Sequence, residues 1–230
     1  MLGGFDYNVI ERSWRYLFFD GMAFTLRLTL LAMAGGIVFG TLLAMMRLSS
    51  IKPLAWAAGA YVNVLRSIPL VLVIFWFYFL VPYMAAWVLR SDTPIHVGAF
   101  VSSLLTFVMF EACYYCEIMR AGIRSIPRGQ VWAGYAIGLD YWRTMGSIVL
   151  PQAFRNMLPV LLTQTIVLYQ DVSLVYVLSI TDFVGAASKV AERDGRLVEM
   201  YTFVAVIYFI SCFALSQLVR RLQAHIAVVR

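Results

Sequence analysis

The sequence predicts an all-α integral membrane protein with five transmembrane helices and a cytoplasmic helix–elbow–helix loop. Apolar residues make up 62% of the 230 residues and charged residues 13%, against about 45–50% and about 25% in soluble proteins. A soluble domain of this length cannot bury so much apolar surface, and disorder needs low hydrophobicity. The composition therefore excludes both of these classes.

Five apolar stretches have about the 20 residues that a helix needs to cross a bilayer. We expect the segment at 47–66 to form a short helix at the membrane interface, and we take residues 1–230 as a single transmembrane domain. The predicted spans are about 21–46, 69–89, 97–119, 157–180 and 200–219.

The distribution of lysine and arginine predicts the orientation. If the N-terminus lies outside, 11 of these residues fall in inside segments and 6 in outside segments. Cytoplasmic loops carry the excess of positive charge, so the N-terminus is predicted outside and the C-terminus inside. The net charge of +6 is thereby interpreted as membrane topology rather than as nucleic-acid binding.

Two of the three cysteines, Cys113 and Cys116, form a C-x-x-C pair. Such a pair is a redox motif or half of a metal site in some proteins. Here it lies inside an apolar stretch and has no second pair, so we interpret both residues as small buried helix residues and predict no metal site.

The basic loop at about 125–151 carries the clearest local signals. Gly138 suits the position after a helix, where a positive φ is needed. Asp140 suits the N-cap of a second helix over about 141–150, with Pro151 at the next turn of the chain. The two short helices would expose several aromatic side chains, which indicate either a protein–protein contact or an interfacial aromatic belt. These side chains are Trp132, Tyr135, Tyr141 and Trp142.

Charged residues inside the predicted spans need a reason, because each costs about 2.5–3.5 kcal/mol on insertion scales. Arg27 either attracts a substrate carboxylate or extends to the outer headgroups. Glu111 either binds a substrate ammonium group or makes a structural hydrogen bond. Glu117 is expected to pair with Arg120 at i,i+3 spacing.

The fourth span is unusually polar and has a predicted local break at Gln170 and Asp171. Irregular backbone within a membrane is tolerated where it lines a cavity. Its polar residues either line a substrate path or hydrogen-bond to neighbouring helices. They are Gln164, Thr165, Gln170, Asp171 and Ser173.

The loop resembles the cytoplasmic EAA loop of ATP-binding-cassette (ABC) import permeases, E-A-A, three residues, G, nine residues, I-x-L-P. Trp132, Ala133 and Gly134 stand at E-A-A, and the rest of the pattern follows at Gly138, Ile148, Leu150 and Pro151. Trp132 replaces the acidic residue, which excludes contact through that carboxylate. Gly134 replaces the second alanine.

Other segments resemble the permeases for polar amino acids. Residues 61–70 read YVNVLRSIPL, similar to Y-x-x-x-x-R-G-T-P-L, and residues 117–123 read EIMRAGI, similar to E-I-x-R-x-G-I. Residues 125–130 match S-I-P-x-G-Q, and residues 171–174, DVSL, are similar to D-T-S-L. Within this family the chain most resembles glutamate/aspartate permease subunits, for example in FEA at 110–112 and ERDG at 192–195.

This resemblance implies an importer in the bacterial inner membrane, with the N-terminus periplasmic and the C-terminus cytoplasmic. Its partners would be a second, homologous or identical permease, two ATPases docked on the elbow, and a periplasmic amino-acid-binding protein. The chain lacks G-x-x-x-x-G-K-[ST], so ATP and Mg²⁺ are expected on the ATPases and no cofactor on this chain. The elbow residues expected to couple to the ATPase are Trp132, Ala133, Gly134, Gly138, Asp140, Tyr141, Trp142 and Pro151.

The residues assigned to the substrate pathway are Arg27, Glu111, Gln164, Gln170, Asp171 and Ser173.

Two alternatives to a glutamate/aspartate importer remain open. The first alternative is a neutral, basic or sulfur-containing amino acid as cargo. The second is an ion-coupled secondary carrier, although such carriers often show paired repeats and none is visible here.

Overall fold

The computed structural model describes residues 5–95 and 97–226, and within these ranges the chain folds into helices joined by short connections. We number the helices in chain order. They are α1 (Asn8–Leu48), α2 (Lys52–Arg66), α3 (Leu70–Val88), α4 (Ala99–Arg124), α5 (Arg128–Ala136), α6 (Tyr141–Leu178), α7 (Phe183–Asp194) and α8 (Leu197–Ile226).

The structure confirms five helices that are long and apolar enough to cross a membrane, namely α1, α3, α4, α6 and α8. The helix that contains the first predicted span is longer than that span, because α1 begins at Asn8. Its first turns are amphipathic, with Val9, Ser13 and Leu17 buried at intervals of four residues. A search for long apolar runs does not detect such a segment.

The helix that contains the fourth predicted span is also longer than that span, because no helix end separates residues 141–150 from the rest of α6. A wider π-helical turn at Met145–Val149 precedes Pro151, and the helix continues through it. Proline lacks an N–H and clashes with the carbonyl four residues earlier, and the π turn includes the residue that carries this carbonyl. The Gln152 side chain donates a 2.8 Å hydrogen bond to the Ile148 carbonyl.

Helices α1 and α4 make the closest long contact of the bundle. Every fourth residue of α1 along this contact is small and buried, which lets two backbones approach. A Cβ atom at Gly40 would lie 2.8 Å from the Tyr115 Cβ and 2.9 Å from the Ala112 carbonyl oxygen. The small residues are Ala32, Gly36, Gly40 and Ala44.

Helix α2 is the short helix predicted within residues 47–66, and it packs on the bundle. Ala58 and Val62 are fully buried in the same cluster as Tyr115 of α4. The Tyr61 hydroxyl donates a 3.1 Å hydrogen bond to the Met109 carbonyl. This contact ties α2 to the middle of α4.

Cys113 and Cys116 lie within α4 as predicted, and both are buried and free. They belong to the core between α1, α2 and α4. The interpretation as small buried helix residues is confirmed.

Helix α7 packs against the first part of α1. Its N-cap is Asp182, whose carboxylate accepts hydrogen bonds from Val184 N at 3.0 Å and Gly185 N at 2.9 Å. Thr25 Oγ1 of α1 accepts a 3.0 Å bond from Phe183 N. Burial raises the pKa of Asp182 to about 6, against the opposing effect of the two N–H donors.

Candidate functional site

The predicted elbow is present between α5 and α6. Gly138 has φ +85°, a conformation that costs little only for glycine. Leu139 N donates to Gly134 O at 3.1 Å and Gly138 N donates to Tyr135 O at 3.0 Å. These two bonds form a Schellman motif, which satisfies carbonyls left free at the end of α5.

The second arm begins at the predicted N-cap. Asp140 Oδ1 accepts a 2.8 Å hydrogen bond from Arg143 N, which satisfies one of the free N–H groups at the start of α6. Gly134 is buried against this arm: a Cβ there would lie 3.0 Å from side-chain atoms of Ile148 and Thr144. The glycine that replaces alanine in the loop pattern thus gives the two arms a close contact.

The elbow exposes aromatic side chains from both arms. Trp132 on α5 is 67% exposed and Trp142 on α6 is 79% exposed. Each packs on a tyrosine of its own arm, Trp132 with Tyr135 at 6.2 Å and Trp142 with Tyr141 at 5.2 Å between ring centroids. Exposed aromatic side chains on both arms form a surface suited to binding another protein.

The elbow residues predicted from sequence differ in their accessibility. Ala133, Asp140 and Gly138 are exposed with the aromatics, whereas Gly134 is buried. Pro151 is exposed and lies on α6 beyond the π turn, outside the elbow itself. It is therefore a residue of the membrane-spanning helix rather than of the turn.

Polar side chains join α4 and α6 inside the bundle, and we call this contact the α4–α6 seam. Gln164 Nε2 donates a 3.0 Å hydrogen bond to Glu111 Oε2. The hydroxyls of Tyr115 and Thr165 lie 3.2 Å apart. Glu111 is fully buried, and its Oε1 has no hydrogen-bond partner among the described residues.

The predicted irregularity of the fourth span is present at Asp171. The α-helical part of α6 ends at this residue, and a 3₁₀ segment, Val172–Leu178, follows. Asp171 and Ser173 are half-buried, whereas Gln170 is exposed. A 3₁₀ stretch of seven residues is longer than usual and marks a functional or strained part of a helix.

Arg27 is not brought to the seam. It is exposed on α1 beside Leu26, whereas Thr25 and Leu28 are fully buried on the packed side of the helix. Of the six pathway residues predicted from sequence, Arg27 and Gln170 are therefore the two that are exposed.

An ion cluster near the ends of α1 and α4 extends the predicted pair. Arg120 Nε donates to Glu117 Oε2 at 3.1 Å, which confirms the i,i+3 pairing. Arg47 also pairs with Glu117, and sequence reasoning missed it because 70 residues separate the two. No local pattern reports such a contact.

Comparison with known proteins gives matches along almost the entire chain. Residues 36–228 match the family described as "Binding-protein-dependent transport system inner membrane component". The chain is 52% identical to the glutamate/aspartate import permease protein GltK of Escherichia coli O6:H1, over 97% of this chain and 99% of that protein. It is 32% identical to the glutamine transport system permease protein GlnP of Escherichia coli K12, over 98% and 99%.

Solved structures agree with this assignment. A chain in the crystal structure of an amino acid ABC transporter with histidines has a TM-score of 0.84 at 28% identity, covering 98% of this chain and all of that one. A chain of the MetNI methionine ABC transporter has a TM-score of 0.72 at 18% identity, covering 93% and 97%, and shares the fold. The chain belongs to the family of binding-protein-dependent transport system inner membrane components, the permeases of ABC importers.

Proposed function

We propose that this chain is the transmembrane permease subunit of an ATP-driven importer for glutamate and aspartate. The observation that carries the substrate is the 52% identity to a glutamate/aspartate permease over nearly all of both chains. Identity falls to 32% for a glutamine permease and to 30% for the L-cystine permease TcyB of Bacillus subtilis, which covers 96% of this chain. This margin favours acidic amino acids over neutral and sulfur-containing ones.

The exposed elbow is the proposed docking site for a cytoplasmic ATPase. Trp132 and Trp142 would provide apolar contacts in place of the carboxylate found in the usual loop pattern. Each ATPase would hold ATP and Mg²⁺, and this chain would bind neither. The N-terminus would lie in the periplasm, where a binding protein delivers the amino acid, and a second permease would complete the pathway.

The α4–α6 seam is the proposed wall of that pathway. Glu111 and Gln164 are hydrogen-bonded to each other, so their role is to hold the two helices together. Asp171 and Ser173 lie where the α-helix gives way to 3₁₀ backbone, and they would face the amino acid. Arg27 faces outward, and we assign it to the outer headgroups rather than to the substrate.

Reconstitution tests the proposal. The permease, its candidate partner permease and the ATPase are placed in liposomes with the matching binding protein, and ATP hydrolysis is measured with each amino acid. Stimulation by glutamate and aspartate is expected. Stimulation by a different amino acid would replace the substrate, and an assembled complex that no amino acid stimulates would overturn the importer assignment.

A charge placed at the elbow tests the docking site. Gly138→Asp puts a carboxylate on the docking surface at a position whose positive φ aspartate tolerates better than most residues. The expected result is loss of ATPase co-purification while the permease still inserts. Gly195→Asp is the matched control, since Gly195 also has positive φ, at +65°, but ends α7. Normal ATPase retention by the Gly138 variant would refute the assignment.

A further inference from the structure

Arg66, the last residue of α2, lies beside the α4–α6 seam. Its guanidinium carbon is 5.1 Å from the centroid of the Tyr114 ring on α4. The residue also lines a cavity of ≈ 450 Å³ between α2, α4 and α6. Ser125 and Asn156, which share a 2.8 Å hydrogen bond, line the same cavity.

Neighbouring arginines are paired with a carboxylate, and Arg66 is not paired with one among the described residues. Arg47 and Arg120 both pair with Glu117, which also lines this cavity. Among the described residues, the interaction of Arg66 is the cation–π contact with Tyr114. The three arginines and one glutamate leave a local charge of about +2, so the cavity attracts an anion.

Arg66 is also a specific anion-binding group rather than a diffuse charge. A guanidinium presents donors in a rigid fork that matches a carboxylate bidentately. An aromatic face behind the guanidinium holds its plane while leaving the fork free. The cavity volume exceeds that of an amino acid, so a substrate carboxylate can reach the fork.

We propose that Arg66 binds a carboxylate of the transported amino acid in this cavity, at the cytoplasmic end of the pathway. The inference rests on the proposed function, which gives a substrate with two carboxylates and one ammonium group. The excess positive charge favours such a substrate over a neutral or basic one. Arg66 is thus a substrate-binding residue outside the six pathway residues indicated by sequence.

A thiol placed in the cavity reports whether the substrate occupies it. Val160 lines the same cavity and is 50% exposed, whereas the native cysteines are buried. In the nucleotide-free complex in nanodiscs, a maleimide should modify the Val160→Cys thiol at least threefold more slowly in 100 mM L-glutamate. The diamine 1,4-diaminobutane, which has no carboxylate, should give no protection.

Substitution of Arg66 in this reporter background is the decisive step. Arg66→Gln should abolish protection by glutamate, and Arg66→Lys should retain part of it. Arg124→Gln is the matched control: it removes an exposed arginine of α4 that does not line the cavity, and protection should persist. Equal protection with and without Arg66, or no protection in the reporter alone, would overturn the inference.

Transport distinguishes this inference from the proposed function. Arg66→Gln should lower glutamate uptake at least tenfold in a complex that still assembles, whereas Arg124→Gln should not lower it. If glutamate stimulates the wild-type complex and Arg66→Gln transports normally, only the inference fails. If thiol protection depends on anionic phosphatidylglycerol in the nanodisc and not on glutamate, the cavity binds a lipid headgroup and the inference is wrong.

Discussion

A single methyl group at Gly40 should separate helices α1 and α4. A Cβ at this position would lie 2.8 Å from Tyr115 Cβ, 2.9 Å from Ala112 O and 3.1 Å from Cys116 N. These atoms belong to the α4 backbone or are attached directly to it, so no side-chain rotation relieves the contacts. Because carbon atoms pack best at about 3.5–4.0 Å, the helices must move apart by about 0.5–1 Å.

Two opposing effects set the magnitude for Gly40→Ala. Alanine is a better helix former than glycine by about 1 kcal/mol, whereas overpacking a tight contact costs about 1–3 kcal/mol. The overpacking cost should lie near its upper end, since the displaced backbone also loosens the contacts of Gly36 and Ala44. We expect a net loss of about 2 kcal/mol, or about 4–8 °C in melting temperature for a chain of this size.

The buried native thiols supply the assay. Cys113, Cys116 and Cys212 are free and buried, so a maleimide dye that fluoresces on reaction reports unfolding in detergent. Gly59→Ala is the matched control, because the nearest atom to its Cβ would be Arg47 Nε at 3.8 Å. The control should melt at or above the wild type. A Gly40→Ala protein that melts as high as the control would refute the reasoning.

Two further predictions concern buried carboxyl groups. Gln164→Leu removes the one hydrogen bond that the structure gives the Glu111 side chain. This variant should cost about 1–3 kcal/mol in the free energy of unfolding. Glu111→Gln retains a partner for Gln164 and should melt close to the wild type. Because the pKa of Asp182 is raised to about 6 by burial, the folded state holds this proton more tightly than the unfolded state. The stability of the wild type relative to Asp182→Asn should therefore fall as pH rises from about 4 to about 6, and a difference in thermal melting that does not change over this range would contradict it.

Local chemistry explains which features the sequence could predict. The elbow was predicted because Gly138 and Asp140 act within a few residues of themselves, through a positive φ and an N-cap bond. The number of spans was predicted because each needs a long apolar run. The interruption at Asp171 was visible as polar residues in such a run.

Features that depend on tertiary contacts were missed. The first turns of α1 are polar on one side and owe their helical state to Val9 and Leu17, which are buried in the core that contains α7 and α8. The pairing of Arg47 with Glu117 and the position of Arg66 over Tyr114 join residues that are far apart in sequence. Helical periodicity does not show which residue of another helix lies opposite.

Helix α6 continues through Pro151, although the sequence predicted a helix end there. This continuity changes how the elbow relates to the pathway. With a helix end at this proline, motion of the elbow would reach the membrane through a flexible joint. Instead, the second arm and the seam belong to one helix, in which Gln164 lies about 34 Å and Asp171 about 45 Å along the axis from Tyr141 at 1.5 Å per residue. In the proposed importer, a tilt imposed on the elbow by the ATPase would therefore displace the seam directly, and the π turn at Met145–Val149 is the place where this transmission would be adjusted.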